Sequence, residues 1–175
     1  MTISLKELKN KSPMFISGYT NVIVPNSELP KKWNQSESFV TKKIVCPCGS
    51  KDFQLNSSQI VKIKGIFKKK EIVTHLAPLT TECPKCNSSA LLLDPTRHGW
   101  SGEFGESASL VGENDPTPYA KETGEVLVNY SYQSFENYED LQNEGISNLE
   151  DYFDTVTVYF KSGNGYVEVV SYVCA

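Results

Sequence analysis

No stretch of the 175 residues approaches the roughly 20 consecutive apolar positions that a membrane-spanning helix needs. Residues 1–15 (MTISLKELKNKSPMF) hold no continuous apolar run after their charges, so they do not read as a secretory signal, and a cytoplasmic protein without membrane contact is expected. The familiar catalytic signatures are missing as well: there is no P-loop, G-x-G-x-x-G, H-E-x-x-H or G-x-S-x-G. Internal repeats longer than the paired cysteines and low-complexity tracts are absent. Five cysteines do not make a disulfide framework in a chain of this length. A hydrophobic share of 39% is nevertheless enough for the core of one domain, or of one domain with a small satellite.

The cysteines that are present fall into two tight pairs, with Cys174 alone beside the C-terminus. The pairs are Cys46-Pro47-Cys48-Gly49 and Cys83-Pro84-Lys85-Cys86-Asn87. In a reducing compartment such pairs hold a metal more often than a disulfide. A structural zinc ion takes four soft or borderline donors in a tetrahedron, and two turns supplying two thiolates each satisfy it. Each turn must aim backbone N–H groups at its sulfurs, which calls for positive φ just after the second cysteine. Gly49 and Asn87 are the residue types that adopt it most easily. Proline after the first cysteine of each pair fixes φ at the start of the turn. The set Cys46, Cys48, Cys83 and Cys86 is therefore expected to hold one structural Zn2+ with no open coordination position. Four buried thiols, a disulfide or a rubredoxin-like iron site are the competing outcomes. His75 could replace a cysteine, but it lies within a strand-like run and reads as an ordinary histidine.

These two half-sites resemble the knuckles of the zinc-ribbon class, which read C-P-x-C-G at the tips of β-hairpins. The second fits with Asn87 in the glycine position; the first lacks one spacer residue. The 34 residues between Cys48 and Cys83 exceed the usual spacing and leave room for strands. The resemblance covers about residues 44–94 and implies a fold element and a metal, not a function.

Short β-rich runs broken by Gly and Lys surround the cysteines, at residues 53–55, 60–63, 72–76 and 90–93, with a turn expected at Gly65. Before them, residues 15–19 and 22–24 suggest short strands and residues 5–8 the start of a helical turn. Residues 94–125 look like a long Gly/Pro-rich connection. Strict alternation at 126–132 marks a strand. Residues 135–143 suggest a short acidic helix, and Ser147-Asn148-Leu149-Glu150 matches a capping box. Residues 155–160 and 166–173 flank Ser162-Gly163-Asn164-Gly165, a strong hairpin signal. The expected class is α+β and predominantly β: a zinc-ribbon-like antiparallel module integrated with further antiparallel strands and one or two short helices. The segments divide as 1–41, 42–97, 98–125 and 126–175, unless all form one domain.

Charge is divided unevenly. Residues 1–100 carry 15 Lys/Arg against 7 Asp/Glu, whereas residues 101–154 carry one Lys against 13 acids. Such a split concerns partners, or the two halves meeting each other. The acids Glu136, Glu139 and Asp140, interleaved with Tyr132, Phe135, Tyr138, Tyr152 and Phe153, suit capture of a basic protein partner, since aromatics anchor interfaces and charge steers encounter. Small acidic bacterial immunity proteins use the same chemical style. The expected function is a non-enzymatic, zinc-stabilised interaction module, immunity- or adaptor-like. An alternative is a nucleic-acid-binding zinc ribbon using Lys62, Lys64, Lys68, Lys69 and Lys70, with Lys42, Lys43 and Lys51 nearby. Edge lysines that block aggregation explain the same pattern. A third is an enzyme or binding face on residues 97–103, where Arg97, His98, Trp100 and Glu103 share a Gly-rich loop after Asp94. There the plain alternative is a Trp filling the core and an Arg–Asp pair holding the turn. Cys174 reads as a buried thiol at a strand end.

Overall fold

In a computed structural model, residues 4–30, 38–57, 64–66, 69–71, 78–95, 97–98, 100–104, 122–132, 135–163 and 165–174 are described. Their elements, in chain order, are helix α1 (Leu5–Asn10), strands β1 (Thr20–Ile23), β2 (Phe39–Val45), β3 (Asp52–Ser57), β4 (Lys64–Ile66), β5 (Lys69–Glu71), β6 (Leu79–Glu82), β7 (Ser89–Leu93), β8 (Trp100–Phe104) and β9 (Gly124–Tyr132), helix α2 (Phe135–Asn143), and strands β10 (Phe153–Ser162) and β11 (Gly165–Cys174). Single 3-10 turns occupy Met14–Ile16, Asn26–Glu28 and Leu149–Asp151. Among the described residues the fold is predominantly β with two short helices, and every strand pairing is antiparallel. No helix among the described residues is long and apolar enough to cross a membrane.

The sheet forks at β9. One edge of β9 pairs with β10 along its length. The other edge is shared, with Phe39 to Lys43 of β2 facing Ser131 to Leu127, and Asp52 and Phe53 of β3 facing Glu125 and Gly124. Outward from β3 lie β6 and β7; outward from β10 lie β11 and β8; among the described residues β1 pairs only with β2. Gly124 is required at the fork. A Cβ there would strike the Lys161 backbone carbonyl and come within 2.9 Å of the Phe160 ring.

Strand alternation builds the core. Val126, Val128, Tyr130 and Tyr132 of β9 and Val156, Val158 and Phe160 of β10 are all buried, and Phe153 joins them across a register shift between Phe153 and Thr155. A bulge of that kind re-phases a strand, which keeps both ends of β10 apolar on one face. The opposite face of β9 is buried too. There Leu127 packs with Val24 and Leu29, while Asn129 Nδ2 donates to Thr41 Oγ1 at 2.8 Å, and Ser131 Oγ lies 2.8 Å from Thr155 Oγ1.

Several local expectations change. Phe15 and Ile16 belong to a 3-10 turn that follows Pro13, not to a strand, and both side chains are buried. The expected capping box at residues 147–150 is not made; only a 3-10 turn forms, without a side-chain cap. The capping box instead opens α1, where Ser4 N donates to Glu7 Oε2 at 2.8 Å and Glu7 N to Ser4 Oγ at 3.3 Å. Gly65 lies inside β4, paired with Lys70, and not at a turn. The supposed connection at residues 94–125 contains β8, which pairs with β11 through Trp100 with Cys174 and Phe104 with Tyr172. The runs at 60–63 and 72–76 and His75 fall outside the described residues.

Candidate metal centre

The first cysteine pair lies between β2 and β3 and the second between β6 and β7. β3 pairs with β6, which brings the two turns to the same end of the sheet. Both turns have the backbone that their sequences imply. Cys46 N donates to Ser50 O and Cys83 N to Ser88 O, closing each knuckle against its returning strand at 2.8 and 2.9 Å. Inside, Gly49 N donates to Cys46 O and Asn87 N to Cys83 O, each at 2.8 Å. The missing spacer thus shortens the first turn from an i to i+4 closure to an i to i+3 closure and leaves its two sulfurs in place. Gly49 has φ of 85° and Asn87 of 56°, the left-handed conformation expected after each second cysteine.

The four sulfurs of Cys46, Cys48, Cys83 and Cys86 lie within 4.8 Å of one another. The Cys46 and Cys86 sulfurs, and those of Cys48 and Cys83, are 3.6 Å apart, each pair bridging the two knuckles. A disulfide needs about 2.05 Å, and all five cysteines are free. A tetrahedron of thiolates with metal–sulfur bonds of about 2.3 Å has edges of about 3.8 Å, so the spacing suits a four-coordinate ion. Cys46 and Cys83 are buried in the main core and Cys48 packs against it, while Cys86 is exposed.

Hydrogen-bond donors already converge on these sulfurs. Burial acts to raise the Cys83 thiol, but the backbone N–H groups of Cys86 and Lys85 bring it down to about 6. The Ser88 hydroxyl, 3.0 Å from the Cys86 sulfur, and the Ser88 N–H lower Cys86. Cys48 accepts from the Ser50 N–H, yet burial and the three neighbouring sulfurs push it up to about 12. Four sulfurs this close cannot all ionise against one another, and a bound dication removes that conflict. Ser88 also lies 3.6 Å from the Cys46 sulfur. Sequence reasoning passed over it, although a serine follows both Gly49 and Asn87 and could have been noticed there.

Arg97 and His98 meet in a separate cleft of about 330 Å3, with Met14, Phe15, Asp151 and Cys174 among its lining residues. Arg97 N and His98 N donate to Asp94 O at 3.0 and 2.9 Å, so the turn is held through the Asp94 backbone. No ion pair between Arg97 and Asp94 is formed. The Asp94 N–H donates to His98 Nδ1 at 2.9 Å, which places the neutral ring's proton on Nε2. Burial lowers the His98 pKa and outweighs the opposing pull of Asp94. Trp100 and Glu103 lie on β8 and do not share one loop with Arg97 and His98. Burial pushes the Cys174 thiol up to about 12, with Asp154 adding to it, which deprives it of nucleophilic character. No local pattern in the sequence ties Met14, Phe15 and Asp151 to these residues.

The acidic region carries a correction. Tyr132, Tyr138 and Phe153 are core residues, Tyr138 being 2% exposed with its hydroxyl donating to Tyr152 O at 2.5 Å. They are unavailable as interface anchors. Glu139 and Asp140 of α2 are exposed; Glu136 lies in the same helix. The basic and acidic halves also meet, since Lys11 pairs with Glu150 at 3.0 Å and Lys43 with Glu125 at 2.9 Å. Lys42 is 1% exposed, so neither it nor Lys43 extends an open basic face. Lys64, Lys69 and Lys70 lie on the β4–β5 hairpin, while Lys62 and Lys68 fall outside the described residues.

No family model, curated protein or solved structure matches the chain.

Proposed function

We propose that Cys46, Cys48, Cys83 and Cys86 hold one structural zinc ion in a zinc-ribbon-like site, and that the chain is a non-catalytic, zinc-stabilised interaction module. The observation that carries this is the cluster of four sulfurs contributed by two knuckles, with edges suited to a tetrahedral ion. Four thiolates fill the coordination sphere and leave no position for substrate, so the ion's role is to join two turns of the sheet. Burial of Cys46 and Cys83 in the main core supports a metal that is integral to the fold.

The interaction partner is a basic protein that meets the exposed carboxylates of α2, as an immunity or adaptor protein would. Glu139 and Asp140 lie exposed there and Glu144 lies exposed just past its end, and charge of one sign speeds encounter with an opposite surface. The test combines Glu136→Gln, Glu139→Gln and Asp140→Asn. A partner role leaves stability level or slightly raised and slows association with the protein that co-purifies. If the same change lowers stability in low salt and matters less in high salt, the acids serve the Lys-rich half of the chain and the partner reading fails.

A nucleic-acid role draws on one observation, the hairpin that pairs Gly65 with Lys70 and Ile66 with Lys69. It requires tight duplex binding that weakens by about 0.9 log units per log unit of salt for each phosphate contacted. Loss of that complex in Lys69→Glu and Lys70→Glu would place this function first.

A further inference from the structure

We propose that the cleft beside the Met14–Ile16 turn binds a small organic carboxylate, carried on a flat apolar body. This does not depend on the metal centre. Four segments far apart in the chain converge there: the Met14–Ile16 turn, the turn holding Arg97 and His98, the stretch around Leu149–Asp151 with Phe153 after it, and the end of β11. The volume, about 330 Å3, falls at the small end of the range for ligand sites.

The walls are aromatic. The Phe15 and Phe153 rings pack edge to face with centroids 5.5 Å apart, and the His98 ring lies 5.6 Å from Phe15 at 42°. Met14, 59% exposed at the rim, supplies an adaptable apolar side chain. Cys174 adds a neutral thiol to this lining. Such surfaces accept a flat ring in preference to a bare inorganic anion.

The polar groups decide the sign of the ligand. Three acceptors of the lining are already engaged: Asp151 Oδ1 takes the Met14 N–H at 2.6 Å, Asp151 Oδ2 takes Asn148 Nδ2 at 3.2 Å, and His98 Nδ1 takes the Asp94 N–H at 2.9 Å. The Arg97 guanidinium has no ion pair among the described residues and is exposed at the mouth. Its donor fork matches a carboxylate through two parallel hydrogen bonds. Asp151, the carboxylate of the lining, has a hydrogen bond on each oxygen, so a ligand that meets the Arg97 guanidinium brings acceptors and a negative charge suited to that cation.

Binding of benzoate, benzamide, benzylammonium and inorganic phosphate to the full chain, followed by NMR shifts and calorimetry, tests this. Benzoate should saturate with shifts at Phe15 and His98, and bind at least tenfold more tightly than benzamide. Arg97→Gln, a change at an exposed position, should weaken benzoate at least tenfold and leave benzamide unchanged. Four results would overturn the proposal: no saturable benzoate shift at these residues, equal binding to Arg97→Gln, tighter binding of benzylammonium, or phosphate binding as tightly as benzoate. Because no arm involves Cys46, Cys48, Cys83 or Cys86, failure here is distinguishable from failure of the zinc site.

Discussion

Lys42 offers a quantitative test of how the core is built. It sits on β2 between buried Val40 and Ile44 and is 1% exposed, on a strand face otherwise given to apolar side chains. Its ammonium donates to the Lys11 carbonyl oxygen at the end of α1 and to Ser12 Oγ at 3.3 Å. No carboxylate pairs with it among the described residues. Burial lowers its pKa from 10.5 to about 8. The native state therefore releases this proton at about pH 8, while the unfolded chain keeps it until about 10.5. Between those values the unfolded state binds more protons, so this residue's contribution to stability rises with pH. Below pH 8 the full cost of burying the charge applies, at most about 3 kcal/mol at about 1.36 kcal/mol per pKa unit. Lys42→Met keeps the apolar stem and removes the titration, while forfeiting two hydrogen bonds worth about 1 kcal/mol each. Urea unfolding from pH 7 to 10.5 should show the variant more stable at pH 7 by up to about 1 kcal/mol. Wild type should then gain on it by up to about 3 kcal/mol across the window. Groups common to both chains cancel in that difference. Parallel pH profiles would refute a buried, charged Lys42.

Three further outcomes follow from named contacts. Gly124→Ala should cost about 2–4 kcal/mol in urea unfolding, because the added methyl strikes the Lys161 carbonyl at the fork; a cost below about 0.5 kcal/mol would contradict the close approach. Cys83→Ser should unfold at least residues 44–94, seen as collapsed amide dispersion by NMR, since the free energy of binding a structural zinc is largely folding free energy. Wild-type thermal stability in that variant would make the site peripheral. The His98 ring should titrate below 6.5, so its contribution to stability is lost as pH falls below 6.5 toward the native value. An NMR midpoint at or above 6.5, assigned with His98→Gln, would contradict its burial.

What the sequence made legible is local chemistry. The Gly/Asn turn at residues 162–165 announced the β10–β11 hairpin, in which Ser162 pairs with Gly165. Alternation announced β9, and the acidic helix has the bounds expected for it. Gly49 and Asn87 announced the positive φ of both knuckles, because few other residues adopt it without strain. What stayed hidden depends on distant partners. Gly99, Gly102 and Gly105 made residues 94–125 look like a loop, and only pairing with β11 makes a strand of Trp100–Phe104. Tyr138 looked like an interface aromatic because its burial comes from packing against Tyr132 and from its bond to Tyr152 O, neither visible within its own helix. Lys42 is counted as a surface charge by any composition rule, and nothing in its own strand reveals that Lys11 and Ser12, just after α1, meet its ammonium. Phe15 had no periodicity to tie it to His98, more than eighty residues later.

The central claim is one structural zinc ion per chain, and metal analysis of protein purified without added metal tests it most directly. Elemental analysis alongside thiol titration of the folded protein should find about one zinc per chain, no iron, and Cys46, Cys48, Cys83 and Cys86 protected from thiol reagents until a chelator is added. Metal-free protein that remains folded, with those four thiols titrating freely, would contradict it.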